Sequence, residues 1–153
     1  MSVRSCRGVD SSASLASVSA LSASDAWAVG SDNSGTLVLH WNGTAWAQVP
    51  SPNPGIGHSA LSGVDALSPS DAWAVGSYDT GRGTRISSKN LVLHWNGASW
   101  TQVASPSPAG QGGSELLGVS ARSAGDAWAV GLVVRHNLST LVLHWNGARW
   151  IQS

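Results

Sequence analysis

Phenylalanine is absent from these 153 residues, and tyrosine, lysine, methionine and cysteine occur once each. A lone thiol, Cys6, excludes a disulfide within the chain and a metal site built from cysteines. Charged residues make up 10% of the chain and the formal net charge is zero. That leaves no basic face to draw in nucleic acid, and no polybasic or acidic run. No apolar run approaches the ~20 residues of a membrane-spanning helix. Arg4 and Arg7 are followed by no apolar segment, so nothing reads as a secretory signal. The compartment stays open; extracellular use would require a mature form, a fragment or another export route. Catalytic signatures are lacking too. There is no nucleophile elbow, no phosphate-binding glycine loop and no metalloprotease histidine pair. The expectation is a chain that is not an enzyme and needs no cofactor.

Tryptophan is what the chain has instead, nine in all. They are placed by a repeat. Asp25-Ala-Trp-Ala-Val-Gly30 recurs at Asp71–Gly76 and Asp126–Gly131. Leu-Val-Leu-His-Trp-Asn-Gly recurs at 37–43, 91–97 and 141–147, followed each time by a further Trp at 46, 100 and 150. Upstream, Leu15, Leu61 and Leu116 align, as do Val18, Val64 and Val119. Arg-over-Lys, Ala/Gly-rich usage suits a bacterial genome of high GC content.

Each unit reads as four strands. A short small-residue strand comes first, then a Ser/Asp turn whose side chains bond nearby N–H groups. Asp-Ala-Trp-Ala-Val-Gly alternates large and small residues with the period of a strand. Leu-Val-Leu-His-Trp is apolar on both faces, and Asn-Gly fits a two-residue hairpin turn. Trp-x-Gln is a short fourth strand, stopped by the prolines of 51–54 and 105–108. A sheet apolar on both faces must be covered on both. Four-stranded sheets repeated about every 50 residues predict β-propeller blades stacked around an axis. An immunoglobulin-like sandwich would not repeat itself every four strands, and a β-helix has a shorter repeat. The fold class is therefore all-β: a flexible arm at 1–12 and three blades at about 13–52, 59–106 and 114–153.

Asp-Ala-Trp-Ala-Val-Gly followed by Leu-His-Trp-Asn-Gly-x-x-Trp resembles the blades of tectonin and lectin-type propellers and of the sialidase-repeat (BNR-like) group. There a Trp-x-Val-Gly-like second strand precedes a third strand, a turn and a Trp. The resemblance covers 13–153. The Ser-x-Asp-x-Gly-x-Thr-Trp box of sialidase repeats is missing; Asn42-Gly-Thr-Ala-Trp46 is the nearest piece and lacks the Asp. The Trp-Asp ending of WD repeats is missing as well. The lectin-type members imply carbohydrate binding, while other families of this shape are scaffolds.

Propellers close with about 4 to 8 blades, and three blades leave two sheet faces bare. A homodimer would close a ring of six, third blade against first, twice. The rival is a three-blade portion of a longer propeller protein. His40, His94 and His144 sit on third strands and are spread around the axis, so they are expected to pack between blades, with one ring nitrogen bonded to backbone or to a turn Asp, rather than bind metal. Asp25, Asp71 and Asp126 are expected to cap turns. The candidate ligand residues are Trp41, Trp46, Trp95, Trp100, Trp145 and Trp150, on which a sugar ring could stack beside polar turns. Arg82, Arg85 and Arg135 join them, in loops of unequal length between second and third strands (31–36, 77–90, 132–140). The partners expected are a second copy and glycans, with no nucleic acid and no membrane. The leading reading is a multivalent lectin-like module. The alternative is a structural or protein-interaction scaffold.

Overall fold

The computed structural model describes residues 12–81, 87–108, 113–134 and 137–153. Residues 1–11 of the expected arm, and Arg82, Arg85 and Arg135, lie outside them. Twelve strands occur among the described residues, in three sets of four. The first blade is β1 (Ser14–Ser22), β2 (Asp25–Asp32), β3 (Gly35–Trp41) and β4 (Trp46–Gln48). The second is β5 (Ser59–Ser68), β6 (Asp71–Thr80), β7 (Ser87–Trp95) and β8 (Trp100–Gln102). The third is β9 (Gly113–Ser123), β10 (Asp126–Val134), β11 (Leu138–Trp145) and β12 (Trp150–Gln152). Within each blade every strand pairs antiparallel with the next. One parallel pair, Ser88 with Gly113, ties the second blade's sheet to the third. Among the described residues no strand pairing returns from the third blade to the first, so the sheets are not closed.

Three local expectations change. The first strands are not short: β1, β5 and β9 run for 9, 10 and 11 residues. They are bulged at matching places, with register slips at Leu15/Ser17, Leu61/Gly63 and Leu116/Gly118, the last opposite Val130/Gly131. The Asn-Gly turn connects through four residues, because Trp41 pairs with Trp46 and Trp95 with Trp100. Asn42 Oδ1 accepts the N–H of Thr44 and of Ala45, at 3.0 Å each, and Gly43 takes the φ of 89° that the turn requires. The long loops shrink for the same kind of reason: residues read as loop carry on pairing. Ser77 meets Asn90, Tyr78 meets Lys89 and Thr80 meets Ser87.

The alternation in the second strand decides how blades stack. Trp27 and Val29 of the first blade share a core with Ala72, Ala74, Leu91 and Leu93 of the second. Trp73 and Val75 share one with Ala127, Ala129, Leu141 and Leu143 of the third. Each blade thus offers a Trp/Val face to the next blade and an Ala/Leu face to the previous one. Small alanines opposite leave room for the incoming indole, as close packing demands.

The glycine that ends the second-strand motif is fixed by the first-strand bulge. A Cβ added at Gly30, Gly76 or Gly131 would lie 1.9, 2.0 or 2.0 Å from the carbonyl oxygen of Ser14, Ala60 or Glu115. That is backbone against backbone, which no rotamer change relieves. Gly76→Ala is expected to lower stability by ~2 kcal/mol or more in urea unfolding. Gly125→Ser, a site where the other units carry Ser24 and Ser70, is expected to stay within ~0.5 kcal/mol.

Candidate functional site

The indole of one blade's second strand wedges into a pair of indoles on the next blade. Trp27 lies 5.0 Å from Trp95, centroid to centroid, and 5.2 Å from Trp100, which it meets edge-on at 88°. Trp73 repeats this with Trp145 at 5.1 Å and Trp150 at 5.3 Å and 87°. Edge-to-face contact puts the positive rim of one ring on the negative face of the other. The receiving pairs share one geometry: Trp95–Trp100 at 5.9 Å and 44°, Trp145–Trp150 at 6.0 Å and 47°.

Two halves of this device have no mate. On the first blade Trp41 and Trp46 stand 5.7 Å apart at 46°, and no third indole approaches them. Beside them a cavity of about 370 Å³ is lined by Leu15, Val18, Ala28, Leu39 and Trp46, among others. On the third blade Trp128 has no Trp neighbour; it lies flat on His144 at 4.2 Å and 20°. In the other two units the corresponding His–Trp pairs are tilted at 34° and 39°. Equivalent residues give the scale of what is bare. Trp27 and Trp73 are 2% exposed but Trp128 is 44%. Leu61 and Val64 are 1% and 6% exposed, whereas Leu15 and Val18 are 51% and 66%. Sequence and register match at these positions. The difference is a missing neighbour blade.

The sequence singled out Trp41, Trp95 and Trp145, and the structure leaves them half-buried. Each donates its indole N–H, at 3.0 Å, to a turn carbonyl, of Ala23, Pro69 and Ala124 respectively. Trp100 and Trp150 are buried, with Trp27 and Trp73 against them. Trp46 alone of its set borders open space, because it belongs to the first blade. The six indoles thus fall into three separate pairs, two of them occupied by protein.

Of the two partners open to the histidines, backbone or turn Asp, the structure selects the Asp. His40, His94 and His144 each place Nε2 2.9 Å from Oδ1 of Asp25, Asp71 and Asp126. Each imidazole also rests on its blade's second-strand Trp. The Asp carboxylate holds the ring, the ring holds the indole, and the indole reaches the next blade. Among the described residues no three His, Cys, Asp or Glu gather as a metal site.

A second row links the blades and was not foreseen. Ser19, Asp65 and Ser120 occupy one register on the first strands, each paired with its unit's second-strand Trp. Ser19 Oγ accepts the Ala66 N–H at 3.1 Å, and Asp65 Oδ2 accepts the Ala121 N–H at 2.7 Å. Ser17 Oγ likewise accepts the Val64 N–H at 3.3 Å. The repeat alignment was enough to find the row. Its changing identity, Ser then Asp then Ser, hid a shared role as acceptor. Away from the end faces, Tyr78, Lys89, Asn90, Gln102 and Ser107 border a shallow polar cleft of about 260 Å³ on the second blade.

These contacts differ in size. Trp73→Ala is expected to destabilise by ~3–5 kcal/mol, the range for a buried aromatic. Asp71→Ala removes one hydrogen bond between partly exposed side chains and should take about 1 kcal/mol. Chemical denaturation of both variants checks the ranking; equal losses would mean that the wedge does not dominate.

No family model matches the chain, and no curated protein matches it in sequence. Among solved structures, YCF48 bound to D1 peptide superposes with a TM-score of 0.58 at 17% identity. The match takes in 92% of this chain and 40% of that one, so this chain spans about two fifths of its neighbour's length. YCF48 is a β-propeller. Identity this low speaks for fold alone, and the fold is a propeller-like array of four-stranded repeats.

Proposed function

We propose that the chain is a non-enzymatic protein-interaction scaffold: an arc of three propeller blades that works by association, with a second copy completing a ring of six. The observation that carries this is the pair of bare end faces. One presents a 44%-exposed Trp128 and the other an open cavity beside Trp46. Apolar surface of this kind is removed from water by association at ~25 cal/mol per Å², and large exposed patches mark interaction sites. The structural neighbour, solved with a peptide bound, supports a protein-binding use of such a scaffold. The three His–Asp pairs support a role without catalysis. Each sits in its own blade on its own indole, whereas catalysis needs different groups converging on one place.

Carbohydrate stacking has less behind it. Trp100 and Trp150 offer no free face, and the N–H groups of Trp41, Trp95 and Trp145 are committed to turn carbonyls. A glycan array is expected to stay silent; specific binding abolished by Trp95→Ala would restore the lectin reading. Size exclusion with light scattering tests association directly. The expected mass is about twice 15.6 kDa, and a monomer at every concentration tried would overturn closure by pairing.

A further inference from the structure

We infer that the seam between two copies is the internal blade junction used again, with Trp128 of one copy seated in the Trp41–Trp46 pair of the other. This rests on the self-association proposed above and adds which surfaces meet and in what register. The first ground is continuity. The chain builds the same junction twice, between blades one and two and between blades two and three. Its two free faces are the two unmatched halves of that junction. They complement each other and not themselves, so the contact is heterologous, and two copies satisfy both faces with two identical seams.

The second ground is that the socket is ready. The empty Trp41–Trp46 pair has a separation and tilt of 5.7 Å and 46°, against 5.9 Å and 44° or 6.0 Å and 47° for the two filled pairs. Filling it requires no rearrangement of the receiving rings. Trp128 needs only to tilt off His144 toward the attitude that Trp27 and Trp73 already hold.

The third ground is polar and sets the register. At each internal junction the acceptor on the first strand, Ser19 or Asp65, takes the N–H of the residue one position further along on the next blade, Ala66 or Ala121. Ser120 holds the third place in that row, and its Oγ has no partner among the described residues. Its mate by register is the Ala20 N–H of the second copy. Val18 and Leu15 of that copy then pass under the third blade as Val64 and Leu61 do under the first. In its apolar contacts the seam differs from the internal junctions at one place. Val49 and Val103 pack on the first and second junctions, while Ser153 stands at that place in the third unit. Its N–H makes the same backbone bond, to Val142 at 3.0 Å, as Val49 makes to Val38 and Val103 to Val92 at 2.9 Å. The seam is an internal junction lacking one valine, so it should part before the blades unfold.

The experiment is sedimentation and light scattering on four single variants of the full chain, with thermal melts to confirm folding. Trp128→Ala and Val18→Asp lie at opposite ends of the arc. A central aromatic hot spot is worth roughly 30-fold in affinity per seam, hence about a thousandfold over two seams. Both variants are therefore expected to weaken the pair by that order. Ile56→Ser, 60% exposed, and Thr101→Ala, exposed on the fourth strand of the second blade, both outside either junction core, are expected to leave it unchanged. Val18 is 66% exposed, so its variant keeps the test valid should Trp128→Ala disturb the third blade. A pair sensitive to only one of the two end variants, or to neither, overturns the seam while leaving self-association standing. A wild-type monomer overturns both. A ladder of ever larger species sensitive to both end variants keeps the contact and overturns closure at two copies.

Discussion

Each internal junction depends on an indole that reaches across from the blade before it. Trp27 is buried by the second blade and Trp73 by the third. A Trp side chain removes about 150–250 Å² from water, which at ~25 cal/mol per Å² is on the order of 4–6 kcal/mol as an upper bound. The other inter-blade contacts are smaller. The Ser acceptors on the first strands contribute about 1 kcal/mol each and the Asp65 carboxylate about 1.5–3 kcal/mol, and the His–Asp pairs act within a blade. The wedge therefore dominates the junction. A single four-stranded sheet with both faces apolar has no stable existence in water, so stability is shared between neighbours in the manner of a repeat array.

The remaining local chemistry serves to aim that indole. The Asp–His pair fixes the imidazole that supports it. The alanines flanking each Trp in the second strand keep the opposite face shallow for the previous blade's ring. The terminal glycine lets the bulged first strand come close enough for its Ser or Asp to reach the next blade. At Gly63 the inner strands are nearly in backbone contact: a Cβ there would sit 3.0 Å from the Cα of Gly118. Turn, glycine and carboxylate are one device, which is why Asp-Ala-Trp-Ala-Val-Gly recurs as a block and not as scattered positions.

That coupling also explains what could be read in advance. Three units with four strands apiece followed from the repeat, since an identical motif in an identical register must solve an identical packing problem; for the histidines it left backbone and turn Asp both open as partners. The hairpin tips did not follow. Asp79, Thr80, Ser87 and Ser88 have polar turn-like composition yet pair, because strand extension is decided by register with the partner strand and not by propensity. The role of Trp100 and Trp150 was equally hidden. A Trp after a polar turn looks the same in sequence whether it faces solvent or the next blade, and only the stacking order distinguishes them. Trp46 repeats their text but not their environment. Only its place in the first unit sets it apart.

Position within the array thus gives identical residues different uses. Trp27 and Trp73 are core; Trp128, the same residue in the same motif, is surface. The low charge of the chain bears on what that surface does. Soluble proteins hold apart partly through net charge, and the formal charge here is zero with 10% of residues charged. Nothing long-range opposes approach of the two ends, and nothing steers it. In the proposed pairing recognition is left to shape: a wedge, a socket and a row of backbone donors in register. Such a contact buries apolar surface without ion pairs, so its strength should depend little on ionic strength and its formation should carry the negative heat-capacity change of apolar burial. A face that instead met a partner through the cationic hairpin regions would show the opposite, weakening as salt rises. The two kinds of association are thereby separable in one titration, and the proposed pairing of the ends belongs to the first.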